Sequence, residues 1–361
     1  MKKFYINKKL YLVLLYIISN NFKKNFNLKL YNSIFDRNYE YYYINYSIIN
    51  CISKIFFLIP YIINKDKTKN KEKTNITNKY SKKFILYNKN ENNKVKIKFE
   101  SSYLIFAFSF ITFFAIYIYQ SSDYFFSIST IYFQYDEYFS IITFVLYQII
   151  FEIKFYNFHY ISILILILIL IIKNFVNIYY NELDFIDNLK VNLTNIILRI
   201  LFSIGFILIK YLNIVYYIDM FFIYFISNGI LHFIFFNCYQ FILTGNFIEY
   251  IDFSFSKIFY YVIYIIIDFI NSYIIIGIIN YLDPIYYAFA DLIFISINYF
   301  IDNYEIYNLF IIIIISLLDL VSVFIYSELI ELKCFNLNRN TMNNMINRAE
   351  IEFKLSRKYF N

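Results

Sequence analysis

The stretch KDKTKNKEKTNITNKYSKKFILYNKNENNKVKIKFE, residues 65–100, decides how this chain is read. It holds 12 lysines against 4 acidic residues, and a hydrophobic segment stands on each side of it. A basic loop of this size between membrane segments stays on the cytoplasmic side, because an excess of Lys and Arg sets orientation. With this loop held inside, the direction of every later segment follows.

The segments on either side are membrane-like by composition. The chain has 361 residues, 60% of them hydrophobic, with a mean hydropathy of +0.52. Soluble domains of this length are usually less than half apolar. The apolar residues also come in runs that match the ~20 residues a helix needs to cross a bilayer. Residues 161–172 are an almost unbroken Ile/Leu run, and 310–318 are nearly as dense. A soluble β protein with such runs would break them into short strands with Gly and Pro turns. Four Gly and two Pro in the whole chain cannot supply that punctuation. The expectation is an all-α, polytopic helical membrane protein. Ile, Asn, Lys, Tyr and Phe dominate, all with A/T-rich codons, so a single Tyr, Asn or Lys carries little weight as a motif.

Four regions follow. Residues 1–64 hold two hydrophobic segments, 65–100 form the basic loop, 101–327 form an eight-helix core and 328–361 a basic cytoplasmic tail. In the first region, residues 10–19 are short for a span and suit a signal-peptide core equally well. The reading favoured is a first helix, which places Lys23, Lys24, Lys29 and Arg37 on the far side, against the usual charge rule. The second segment, 44–63, carries Lys54 and Pro60. After the loop, spans are expected at 101–119, 139–154, 157–175, 191–211, 217–238, 258–280, 284–303 and 306–327, for about ten in all. Eight crossings after the loop return the tail to the inside, and the tail is basic. The intervening outer loops are expected at 120–138, 176–190, 239–257 and 304–305. They contain Lys190 and Lys257 as their only basic residues, against Asp123, Asp136, Glu137, Glu182, Asp184, Asp187, Glu249 and Asp252. That charge balance supports the threading. The sequons at Asn45, Asn75 and Asn192 fall inside the cell or in the membrane, and none is expected to be glycosylated.

Four charged residues fall well away from the ends of spans of the C-terminal half: Arg199, Asp268, Asp291 and Asp319. A charge in hydrocarbon faces a partner or a water-filled cavity. At ~1.5 Å per residue, Arg199, Asp268 and Asp319 lie about 12, 15 and 18 Å from the outer end, and Asp291 about 10 Å from the inner end. All four are near the midplane, where a transporter places substrate or coupling ion. They are the expected substrate and ion pathway. The bland alternative is a set of interhelical bonds that only holds the bundle together. Asp283-Pro284 reads as a helix cap followed by the first helical position. The glycines, Gly205, Gly229, Gly245 and Gly277, mark close helix contacts or breaks.

Catalytic chemistry is not expected. His159 and His232 lack the neighbours of a metalloprotease or acyltransferase and read as packing residues. Phosphate-loop and nucleophile-elbow motifs are missing. Cys51, Cys238 and Cys334 share no metal or disulfide spacing. No metal, cofactor or nucleic-acid partner is therefore expected. Anionic lipid headgroups are the expected partners of the 65–100 loop and the tail, where 342–360 suit a short amphipathic helix.

Three passages carry a resemblance. They are GFILIKYL (205–212), DPIYYAFADLIF (283–294) and FIYSELIELKCFNLNRNT (324–341). Together they resemble the drug/metabolite transporter superfamily, which includes nucleotide-sugar and triose-phosphate carriers, mainly over residues 191–341. Asp283 stands where the family's ninth helix opens with Ser, and Ser327 where related proteins have Asn. The resemblance implies ten helices in two inverted repeats of five, with both termini cytoplasmic. The functional expectation is a secondary transporter of a small polar metabolite, in which Arg199 meets an anionic substrate and the carboxylates a proton or cation. The alternative is a non-transporting membrane scaffold, sensor or complex subunit.

Overall fold

A computed structural model describes residues 11–25, 49–64, 91–126, 136–153, 155–179, 185–244, 255–302 and 306–329. Among them the chain is helical throughout, as a bilayer demands of any segment that must satisfy its own backbone. Helix α1 covers 11–25 and α2 covers Ile49–Asn64. Then follow α3 (Glu91–Phe126), α4 (Glu137–Phe151), α5 (Asn157–Tyr179) and α6 (Phe185–Val215). Helix α7 runs from Met220–Tyr224 through a π-helical turn, Phe225–Leu231, into His232–Thr244. The last three are α8 (Phe255–Tyr281), α9 (Pro284–Asp302) and α10 (Ile306–Tyr326).

Five helical segments are long and apolar enough to cross a membrane: Glu100–Ile118, Asn157–Val176, Asn192–Val215, Met220–Tyr239 and Ile258–Tyr281. Four more apolar helices are shorter, at Ile49–Asn64, Glu137–Phe151, Pro284–Asn298 and Phe310–Tyr326. This is a multi-pass helical membrane protein, and of the about ten spans expected, five meet the length and hydropathy of a crossing among the described residues. Two of the long helices carry an exposed apolar stripe suited to lipid. On α5 the stripe is Leu164, Leu168, Ile171 and Phe175, all exposed, while Ser162, Leu166, Ile169 and Lys173 are buried on the opposite face. On α8 the exposed stripe is Phe259, Val262, Ile266 and Ile270, and the buried one includes Tyr264, Asp268 and Asn271. The spacing is that of a helix with one lipid face and one protein face.

Two compact units divide the chain. The first is Met1–Ile17, Phe126–Ser203 and Pro284–Asn361; the second is Ile18–Phe125 and Ile204–Asp283. The division falls inside α1 and inside α6. Helices α2 and α3 then belong to the second unit, but for the last residue of α3, and α4 and α5 to the first. Helices α7 and α8 again belong to the second and α9 and α10 to the first.

In the first unit α4, α5, α10 and α9 pack in a ring, each against two of the others. Tyr326 sits in its aromatic core against Phe144, His159, Tyr286 and Phe289. Helices α5 and α10 are tied by a reciprocal pair: Ser162 Oγ donates to the Ser322 carbonyl at 2.9 Å, and Ser322 Oγ to the Ser162 carbonyl at 3.0 Å.

In the second unit Phe57 packs among Phe221, Tyr224 and Phe269. Helix α2 is interrupted at residues 56–57. The cause is Pro60, which lacks an N–H and whose ring crowds the carbonyl four residues back, that of Phe56. The chain tightens there: Phe57 N donates to the Lys54 carbonyl at 3.1 Å and Ile59 N to that of Phe56 at 3.0 Å. The π-helical turn of α7 lies against this break. A Cβ on Gly229 would stand 3.2 Å from the Ile55 nitrogen and 3.3 Å from the Lys54 carbonyl carbon. Gly205 likewise sits close to Thr112, at 2.8 Å for an added Cβ, whereas Gly277 has open space around it. Gly245 lies outside the described residues.

Several helix boundaries differ from expectation, and three of them bear on the polar residues. Helix α3 begins at Glu91, so the last ten residues of the 65–100 segment are helical; 65–90 lie outside the described residues, as does the tail from 330. Helix α4 ends at Phe151 rather than 154, with Glu152 in the left-handed conformation (φ 53°) that turns the chain out. The 120–138 segment is not wholly a loop: α3 reaches Phe126, and Asp136 and Glu137 are buried at the start of α4. Among the other expectations, α9 does start at Pro284. Its neighbouring contact is made by Lys210, which donates to the Ile279 and Asn280 carbonyls at 2.8 and 3.0 Å and so closes the C-terminus of α8.

Candidate functional site

The second unit holds one buried ionic cluster, centred on Asp268. Its side chain is 0% exposed, on the protein-facing stripe of α8. Lys23 from α1 reaches Oδ1 at 2.6 Å, and Lys54 from α2 bonds Oδ2. Ser53 donates to the same oxygen, and Lys54 also donates to Ser272 one turn further along α8. Asn50, with its amide nitrogen turned inward, adds a donor 3.0 Å from Oδ1. Both carboxylate oxygens are thus covered by donors, and two cations surround one anion. Lys54 is held one residue before Ile55, where α2 breaks and meets Gly229. The unpaired backbone of a broken helix is tolerated at membrane depth only when buried in protein or lining a cavity, and this one is buried against the π turn.

The first unit holds a larger set on α4, α6, α9 and α10. Arg199 bonds Asp136 Oδ1 and lies 5.7 Å over the Phe139 ring. Asp291 accepts a hydrogen bond from the Tyr16 hydroxyl at 2.6 Å and is within electrostatic range of Arg199 and Asp136. At the next residue, the first of α4, Glu137 Oε1 meets Lys173 Nζ of α5 at 2.5 Å. Asp319 of α10 accepts from Ser296 of α9 at 2.8 Å and feels the charges of Glu137, Lys173 and Asp136. Four carboxyl groups therefore share two cations.

The four residues expected to form one pathway separate into two sets. Arg199, Asp291 and Asp319 share the polar interior of the first unit, and Asp268 belongs to the second. Arg199 bonds Asp136, which was expected in an outer loop, and its charge also acts on Asp291. Glu137 was placed in the same loop and is equally buried. Both stand at the end of a polar stretch, and their burial depends on cations 36 and 63 residues away. Lys23, expected on the far side against the charge rule, is instead bound to a buried carboxylate. Lys54 and Lys173 were visible as charges within apolar segments, and that was the signal of buried partners.

The histidines pack, as expected. His232 Nε2 lies 2.9 Å from both the Ser109 carbonyl and Thr112 Oγ1. His159 Nδ1 accepts from the Tyr156 N–H at 3.3 Å. Asn192, one of the sequons, is buried, donates to Asn174 at 2.7 Å and accepts from Tyr138 at 3.0 Å. Asn45 and Asn75 lie outside the described residues. Cys51 is buried and Cys238 exposed, both as free thiols. Among the described residues no group of His, Cys, Asp and Glu side chains has the arrangement of a metal site.

Comparison with known proteins adds no relative: no protein-family model matches the sequence, and no curated protein matches it significantly.

Proposed function

We propose that this chain is a secondary transporter that moves a small polar metabolite across a membrane by alternating access. The observation that carries the proposal is the order in which helices join the two compact units. Helix α1 is divided between the first and second units, α2 and α3 belong to the second, and α4 and α5 to the first. Helices α6 to α10 repeat that order: divided, second, second, first, first. Among the described residues that makes ten helices in two matching sets of five, the arrangement that the resemblance to drug/metabolite transporters implies. If every helix crosses, an odd number per set turns the second set upside down. Inverted repeats are a recurrent basis of alternating access.

Two further features support the reading. Buried charges are costly in a bilayer and mark substrate or ion pathways more often than they serve packing alone. Interrupted helices are the usual site builders in such folds, and α2 and α7 meet at their interruptions. A scaffold needs buried charges only as saturated pairs, and among the described residues the buried cluster of the first unit sets Asp136, Glu137, Asp291 and Asp319 against Lys173 and Arg199.

Topology is the test. Single cysteines at Lys71→Cys, Glu249→Cys and Asn344→Cys, in a chain with Cys238 and Cys334 replaced by Ser, are labelled from each side of sealed vesicles. Residues 71 and 344 should label from the cytoplasmic side and 249 from the other. Labels at 71 and 344 on opposite faces would remove the repeat and the transporter reading with it. Uptake screens with polar metabolites then identify the substrate, with Asp268→Asn as the inactive control.

A further inference from the structure

The four-helix ring of the first unit encloses a polar cluster to which every helix contributes. Helix α4 supplies Glu137, 0% exposed, and Ser140; α5 supplies Lys173; α9 supplies Ser296; α10 supplies Asp319, 1% exposed. The hydrogen bonds do not close. Glu137 Oε2, Asp319 Oδ1 and Ser140 Oγ are buried without a hydrogen-bond partner. Native interiors leave few such atoms, and each calls for a specific explanation.

The charges do not close either. Glu137 and Asp319 face one another's field with Lys173 as their shared cation. The other ionisable groups that face them are Asp136, at the start of α4, and Tyr138 on α4. Helix α9 contributes the neutral Ser296. Arg199 is taken by Asp136. One negative charge is therefore in excess, and an uncompensated buried charge costs several kcal/mol. The missing component is small, positively charged and a hydrogen-bond donor. A proton meets all three conditions, and among the described residues no group of three or more His, Cys, Asp or Glu side chains is arranged to hold a metal ion.

We infer that Glu137 and Asp319 hold one exchangeable proton between them, with Lys173 as the fixed counter-charge. Binding converts one carboxylate and a solvent proton into a carboxyl group, and no other bond changes. The new O–H supplies the donor that the bare oxygens lack, and the remaining carboxylate pairs with Lys173. Release restores two like charges, one on α4 and one on α10, which face each other across the diagonal of the ring. Two buried carboxylates that act on one cation relieve their mutual repulsion when one of them takes up a proton. Within the transport reading, this cluster is the coupling site and the coupling ion is a proton. That last assignment rests on the transport reading, while the proton site does not.

Infrared titration of the full chain in lipid, following the carbonyl stretch of protonated carboxyl groups, tests the site directly. The wild-type protein should show the band and lose it on alkaline titration. Asp319→Asn and Glu137→Gln should each lower it, since the one carboxylate left pairs with Lys173. Lys173→Met should raise it, because both carboxyl groups then require protons. Asp268→Asn should leave it unchanged. Misfolding cannot produce changes of opposite sign from the same cluster. A wild-type protein without the band, or a Lys173→Met protein in which it falls, overturns the inference. If the band behaves as expected but labelled vesicles move neither protons nor solutes, the site stands and the transport reading fails.

Discussion

The two units bury charge in opposite ways. In the second, Asp268 is over-supplied: two lysines and Ser53 cover its two oxygens, and Asn50 adds a further donor. In the first, Glu137 and Asp319 are under-supplied, with one oxygen of each bare and one lysine between them. A saturated cluster has one arrangement and resists change. An unsaturated one has vacant acceptor capacity, which a proton can occupy and leave. The contrast separates a fixed anchor from an exchangeable site, although both are buried carboxyl–lysine groups on apolar helices.

The comparison breaks most readily at Asp268. Asp268→Ala strands Lys54 as an uncompensated buried charge and should cost roughly 3–5 kcal/mol, measured by denaturant titration in mixed micelles. A loss under ~1 kcal/mol would mean that Lys54 reaches water and that the cluster is not an anchor. Next in size is Gly229→Ala. The added methyl meets the α2 backbone rather than a side chain that could swing away, and overpacking of this kind costs about 1–3 kcal/mol. The same substitution at Gly277, where nothing lies within 4 Å, should be neutral or slightly stabilising by comparison, which isolates the contact from helix propensity.

Smaller effects belong to the first unit. Ser162→Ala removes half of the reciprocal bond between α5 and α10, and interhelical hydrogen bonds in membranes average ~0.6 kcal/mol. A value above ~2 kcal/mol would show that this pair, not the aromatic core around Tyr326, holds the ring together. The smallest change is expected at Asp319→Asn. An amide resembles the protonated carboxyl in shape and charge and keeps the Ser296 contact, so stability should change by less than about 1 kcal/mol while proton binding is lost. Equal destabilisation at Asp319→Asn and Asp268→Asn would erase the distinction between the two clusters.

Much of the architecture was legible in the residues themselves. The eight helices after the basic segment fall close to the apolar runs that announced them, because an apolar run in a chain with four Gly and two Pro has no other way to satisfy its backbone in lipid. Pro60 marked the break in α2 and Pro284 the start of α9, each through the missing N–H. Gly205 and Gly229 marked close contacts, but Gly277 did not; a glycine states what fits, not what is there.

The site was legible only in part. Arg199, Asp268, Asp291 and Asp319 stood out because charges in apolar runs are rare, and all four take up partners. Their partners did not stand out. Asp136 and Glu137 border a polar stretch, and nothing local separates a loop acid from one drawn inside by a lysine on the next helix. Lys23 looked like a violation of the charge rule until Asp268 was found beside it, 245 positions away.

By itself, then, the sequence determined where helices form, since that depends on the composition of contiguous residues in a solvent that offers no hydrogen bonds. The tertiary structure alone decided how the buried charges pair and which carboxylate oxygens are left bare. Those outcomes depend on which helices pack together, and electrostatic balance inside a protein is set by neighbours in space.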